Sequence, residues 1–306
     1  MTTALWLMAY GGLVSWLAPP LLHRLTRSGV SPRMGVAAWL TAIGAVLCAW
    51  AVSLMLIAGA AVEGLSDSSA VTLCLELFGI SEHTPLPGRL GALGLIAVGL
   101  VVSLFVIDRV CRRVWRLRSR SHAHAHAARL IGRPTVSSDV VVVDAEELLA
   151  YCVVGRPDAI VITSAALNSL NGSQLAAVLA HERAHIRGRH HHALMVLRAL
   201  ATTVPRLPLF RDGSVAVAEL LEMCADDAAA RRHGSRPLLD GLLALSSPGA
   251  APAGGLAAAG TAVGLRAMRL AAPARRGERW IRRLALAATM ATMVSAPLLI
   301  ELLCHH

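Results

Sequence analysis

The sequence predicts a mainly α-helical membrane protein with four transmembrane helices and a cytoplasmic α+β domain placed between spans 3 and 4. Three observations carry that reading. Hydrophobic residues make up 55% of the 306 residues and charged residues only 16%, whereas soluble domains carry about 45–50% and about 25%. The apolar residues gather in long uncharged runs. Arginine crowds some connections and is missing from others.

The runs define spans at about 4–22, 34–62 and 90–107, with a fourth run at Leu284–Ile300 that Leu302–Cys304 extend past Glu301. Each approaches the roughly 20 apolar residues needed to cross a bilayer core. The first is not preceded by basic residues; Arg24 and Arg27 follow it, the wrong order for a cleaved signal peptide. The first connection holds Arg24, Arg27 and Arg33 without an acid, while the second, 63–88, holds Glu63, Asp67, Glu76 and Glu82 without Arg up to Gly88. A third cluster, Arg109 to Arg120, follows span 3. Basic connections stay cytoplasmic, so the expected topology has the N-terminus outside and a cell-membrane, multi-pass chain. Three units follow: a membrane domain 1–107, a cytoplasmic domain 108–283, and 284–306 as the last span with a short outer tail.

The formal charge of +10 contains no lysine, since all 29 basic residues are Arg. That excludes lysine Schiff bases, Ser-x-x-Lys nucleophiles and phosphate loops of the Walker type. The segment 108–283 holds 25 Arg against 14 acids. Its Arg cluster, with Trp115 inside it directly after a span, fits anionic lipid headgroups better than nucleic acid. Cys111, Cys152 and Cys224 fall on the reducing side and Cys48 within a span. Only Cys74 and Cys304 face an oxidising side, so no disulfide framework is expected.

Within 108–283, the β-branched runs Asp139–Asp144, Tyr151–Val154 and Ala159–Thr163 read as a small sheet, with a turn at Gly155, Pro157 and Asp158. Thr163 or Ser164 caps a short helix ending at Asn171–Gly172, and Ser173 caps a longer one broken at Gly188. Another helix runs from about His190 to before Pro205, and a further one covers Ser214–His233. Residues 246–264 read as a linker of Ala, Gly, Ser and Pro, and Arg266–Arg283 as a basic return to the membrane.

The longer helix contains His181-Glu182-Arg183-Ala184-His185. Residues i and i+4 share a helix face, so both imidazoles can bind one tetrahedral zinc ion, with Glu182 beside the open position as a base. About 0.02 matches to this pattern are expected by chance at this composition. A third ligand is sought on the Ser214 helix, where Glu222 and Asp226 are again i and i+4. One carboxylate can bind zinc while the other supports a ligand imidazole. Glu222 is the favoured ligand, with Glu219 and Cys224 as alternatives. His122, His124 and His126 read as a solvated linker and His190–His192 as an exposed helix start, and His233 is a candidate oxyanion partner.

The stretch AIVITSAALNSLNGSQLAAVLAHERAHIRGRHH, followed by ELLEMCADD, resembles the BlaR/MecR family of integral-membrane zinc metallopeptidases, its compact actinobacterial members in particular. The resemblance covers about Asp139 to Gly234 and the three-plus-one order of spans. It implies a gluzincin-like zincin fold with one catalytic zinc held by His181, His185 and Glu222, Glu182 as the catalytic base, and Asp226 as the supporting carboxylate. It also implies that Val161, Ile162 and Thr163 lie near the edge strand that pairs with substrate. The chain departs from the family in two ways. It has neither lysine nor, up to His306, a penicillin-binding sensor, and His190 stands where Asp is common. The expected partner is a protein substrate, by resemblance a repressor of the BlaI type or the chain's own Arg275–Arg283 segment. A quality-control or processing protease acting on membrane proteins and a non-enzymatic signalling scaffold are the other readings, and a homo-oligomer stays open.

Overall fold

The computed structural model describes residues 2–66, 87–246, 256–272 and 274–304. Most of the expected acidic loop, including Cys74, and residues 247–255 of the expected linker lie outside them. Helices α1 (Thr2–Thr26) and α2 (Pro32–Ser66) form an antiparallel hairpin. The hydroxyls in these apolar helices are satisfied by carbonyls: Ser15 donates to Gly11 O at 2.7 Å and Ser53 crosses to Ala4 O at 2.7 Å. Among the described residues, only Thr3–Thr26 and Pro32–Gly59 are long and apolar enough to cross a membrane. The runs expected as the third and fourth spans lie on later helices that do not reach that measure over the described residues. Of the two qualifying stretches, 39% and 28% is buried within the protein, so Trp6, Leu13, Trp16 and Met55 face outward. A soluble protein rarely leaves so large an apolar surface bare, and these two helices point to membrane association.

Helix α3 (Pro87–Ile131) runs without interruption through the boundary expected at residue 107. The Arg109–Arg120 cluster and the alternating histidines are therefore turns of one helix, and His122–His126 is not a linker. A four-stranded sheet follows: β1 (Arg133–Pro134), β2 (Val140–Val143), β3 (Ala150–Val153) and β4 (Ala159–Thr163). Its order is β1-β2-β4-β3, with β2 parallel to β4 and β3 antiparallel to it. The expected turn closes the β3–β4 hairpin. The sheet hangs on the last turns of α3, where Ala125 and Ala128 pack against Val153 and Val161. Arg129 donates to Asp158 O at 2.6 Å and Ser121 to Val154 O at 3.0 Å.

Thr163 caps α4 (Ser164–Ser169). The cap of α5 (Gly172–Arg187) is Asn171 and not Ser173, because the Gln174 side chain accepts from the Asn171 N–H while Asn171 accepts from Gln174 N. Such a reciprocal box outweighs the bare preference for Ser. Helix α5 ends at Gly188 as expected, and α6 (His190–Thr203) follows. Helix α7 starts at Pro208, six residues before the expected Ser214, and ends at His233. Proline at a first helical position loses no hydrogen bond. After α8 (Ser235–Leu245), Leu256–Gly264 is not linker but the first half of α9 (Leu256–Ala271). Its alanines are strong helix formers hidden by low complexity. Helix α10 (Arg276–Cys304) closes the chain.

The largest core joins the hairpin to the later helices: Trp39, Ile43 and Val46 of α2 pack with Leu197 of α6, Phe210 and Val217 of α7, and Leu286 of α10. Phe210 reaches Trp50, with ring centroids 6.3 Å apart. The α6–α7 pair is thereby packed along the candidate membrane hairpin, and the units expected as 1–107 and 108–283 share one core.

Candidate metal centre

Helix α5 presents His181 and His185 on one face, and α7 brings Glu222 against them. His181 Nε2 lies 3.1 Å from His185 Nε2 and 3.3 Å from Glu222 Oε2, and His185 Nε2 lies 3.4 Å from Glu222 Oε1. Among the described residues these three form the one cluster of metal-binding donors, all within 4.8 Å of one another. Tetrahedral zinc with bonds of about 2.0–2.1 Å separates its ligands by about 3.3 Å. The donor triangle has that size, and the donor set of two imidazoles and a carboxylate is one zinc takes. The residues therefore fit the ion.

Around the triangle, the far nitrogen of each ligand imidazole stands close to a second side chain. His181 Nδ1 stands 3.0 Å from Asp226 Oδ1, and His185 Nδ1 stands 2.9 Å from His190 Nδ1. Asp226 is fully buried. It accepts two hydrogen bonds from Arg266 of α9, at 2.8 and 2.7 Å, and Arg266 also stands 3.2 Å from Glu222. Burial opposes the charge on Glu222, but His181, His185 and Arg266 hold its carboxyl well below the usual range. Asp226 is likewise held low, against burial, by Arg266 and His181. Burial alone would lower His181, yet the Asp226 and Glu222 carboxylates and the Glu182 charge push it up to about 9. Burial, with His185 beside it, lowers His190 to about 4. His190 is thus neutral, and with His185 Nε2 turned to the donor triangle its Nδ1 is placed to accept from His185 Nδ1–H. Glu182 is buried at the same face, and burial raises its carboxyl above the ordinary value.

A cavity of about 510 Å³ opens over these groups, walled by Leu117 and Ser121 of α3, Cys152 of β3, and His191 and Leu194 of α6. The Cys152 carbonyl accepts from His191 Nε2 at 2.9 Å. Burial and the neighbouring Glu182 push the Cys152 thiol far up, so it stays protonated.

The structure thus brings together His181, Glu182, His185, Glu222 and Asp226. Glu219 is exposed, His233 is exposed at the end of α7, and Cys224 is buried outside the cluster. Val161, Ile162 and Thr163 lie on β4, which is paired with β2 on one side and β3 on the other. An interior strand has no edge to offer a substrate; of the two edge strands, β1 and β3, it is β3 that lines the cavity wall. His190 is buried and is no exposed helix start. Gly188 lets it fold back, because a Cβ there would meet the His190 ring at 2.3 Å, and Arg189 turns the chain with φ of 51°. Sequence reading missed Arg266, His190 and Cys152. The histidine run held a signal for His190, while Arg266 stands among alanines with no pattern to mark it.

Residues 115–244 match the family model of Peptidase family M48. No curated protein and no solved structure matches the chain. The matched region contains Glu182 and all three donors, and the match supports a zinc metallopeptidase.

Proposed function

We propose that this chain is a membrane-embedded zinc endopeptidase with four spans, its N-terminus outside and its site on the cytoplasmic side. The observation that carries the reading is the His181–His185–Glu222 triangle beside buried Glu182, inside the matched region. Zinc, when bound there, supplies Lewis acidity toward water and a scissile carbonyl. Glu182 takes the proton of the attacking water and returns it to the leaving amine, a task suited to a carboxyl whose affinity for protons burial has raised. Asp226 and His190 hold the two imidazoles in orientation.

The substrate is an extended protein segment added to the β3 edge. Thr163 N donates to Leu149 O, and β4 pairs Tyr151 with Val161. Alternation along the strand then turns the Ala150 and Cys152 backbone outward, where substrate pairs with Ala150 and would share the Cys152 carbonyl with His191 or displace it. A repressor of the BlaI type is the substrate that the sequence resemblance favours. A second reading, cleavage of membrane proteins in quality control or processing, is favoured by the core that α6 and α7 share with the α1–α2 hairpin.

Replacing Glu182 by Gln tests the mechanism. Zinc content should stay stoichiometric while cleavage falls by about 10²–10⁴-fold. Comparing the proteomes of wild type and Glu182→Gln cells identifies the lost product, a repressor fragment or fragments of many membrane proteins. Cleavage that persists in the variant overturns the reading, and purified protein without zinc supports a scaffold instead.

A further inference from the structure

A second cavity, of about 1000 Å³, lies away from the metal donors, between the α1–α2 loop, the last turns of α7, α9 and the start of α10. Six arginines line it: Arg27, Arg33, Arg231, Arg269, Arg279 and Arg283. The lining carboxylates are Asp227 and Glu278, and Asp227 is taken by Arg269. Among the described residues, Arg27, Arg33, Arg231, Arg279 and Arg283 enter no ion pair. These five arginines are solvent-exposed, and together they give the space a positive field that favours an anion. The Ser31 hydroxyl, also in the lining, is buried without a hydrogen-bond partner.

The walls between these charges are apolar: Val30, Met34, Met223, Leu265 and Met268. A further cavity, of about 770 Å³, shares Arg33 and Arg231, adds Arg187, Arg232 and His190 on one wall, and has an apolar wall of Val36 and Leu40 of α2 with Ala193 and Leu221. Charge at one end and an apolar path along a candidate membrane helix at the other match an amphiphile. A free phosphate ion would gain nothing from the apolar path.

We propose that this cavity binds the phosphate group of an anionic phospholipid, between Arg33, Arg231 and Arg279, with an acyl chain along Val36 and Leu40. The Ser31 hydroxyl donates to a phosphate oxygen. The site rests on the membrane reading of α1 and α2. It is separate from the Arg109–Arg120 cluster on α3.

The test uses the full chain in nanodiscs of phosphatidylcholine with or without phosphatidylglycerol, read by native mass spectrometry and by the thermal unfolding midpoint. Wild type should retain phosphatidylglycerol over phosphatidylcholine and unfold at a higher temperature with it. Each Arg near an anionic headgroup contributes about fivefold in affinity. The double variant Arg33→Gln/Arg279→Gln should therefore retain phosphatidylglycerol about 25-fold more weakly, and Arg33→Lys/Arg279→Lys should recover much of it. Arg156→Gln, exposed in the β3–β4 turn and outside the cavity lining, should leave retention unchanged. If the glutamine variant fails to fold, the wild-type preference alone decides. Equal retention of the two lipids overturns the proposal, as does undiminished retention in a folded glutamine variant. Stabilisation by inorganic phosphate in pure phosphatidylcholine discs, with none from phosphatidylglycerol, overturns the lipid assignment.

Discussion

Glu222 and Asp226 place two carboxylates one helical turn apart, next to imidazoles that zinc requires as neutral ligands. Arg266 makes that crowding stable, since it pairs with both acids and is itself largely buried, its side chain only 12% exposed. Removing one member of a buried ionic set typically costs about 3–5 kcal/mol, because the remaining charge is left without a partner. Arg266→Ala should therefore lower the unfolding midpoint clearly, whereas Arg236→Ala should barely move it. Arg236 is 89% exposed and 3.9 Å from Asp240, so its pair is worth little. Thermal unfolding of the two variants side by side checks this. His190 acts differently, through the ring of His185. His190→Ala should weaken zinc binding by about 10–100-fold, measured by competition with a chelator, and His190→Asn should recover part of the loss by again accepting from His185 Nδ1. The three donors and Glu182 were legible because one helix face repeats every fourth residue. Arg266 was not legible, being 40 residues from its partner in sequence and marked by no local period.

At the scale of the element, the helices that carry the site were read well and the sheet only in part. Alternating and β-branched runs locate strands, but the order of pairing is set by a crossover that no single run encodes. Val161–Thr163 thus lie beside the edge strand β3, as expected, but on interior β4 and not on the edge itself. The link between sheet and metal helix is also non-local: Arg183, inside the His181–His185 motif, donates two hydrogen bonds to Asp139 at the entry to β2, at 2.7 and 3.1 Å. The Arg183 hydrogen bond holds the Asp139 carboxyl below its ordinary value. A lowered carboxylate contributes stability above its unfolded pKa, and that contribution is lost as pH falls through the folded value. Asp139→Asn should therefore cost about 0.5 kcal/mol near neutral pH, a figure reduced for solvent exposure. It should cost nothing once the pH is well below the ordinary aspartate value of about 3.9. Urea unfolding of both proteins at neutral and acid pH measures the difference.

Across the whole molecule, the metal donors tie α5 to α7, and α7 is fixed to the α1–α2 hairpin through the shared core. Removing zinc with a chelator should therefore lower the unfolding midpoint of the entire chain, and zinc should restore it where magnesium, which prefers oxygen donors, does not. Differential scanning calorimetry of the protein in nanodiscs checks this. The span count read from the sequence rested on composition, which measures how much apolar surface exists. It does not say which part other helices cover, as α6 and α7 cover one side of the hairpin. The unbroken α3 has a consequence of its own. At 1.5 Å per residue its 45 residues extend about 68 Å, more than twice the roughly 30 Å of a hydrocarbon core. With no joint between its apolar half and the turns that grip the sheet, it is a ruler: the length of α3 sets how far the sheet stands from the start of that helix. Adding four residues would lengthen α3 by about 6 Å and rotate its two ends by about 40° relative to each other, so the sheet would have to follow α3 or keep its packing on α5, not both.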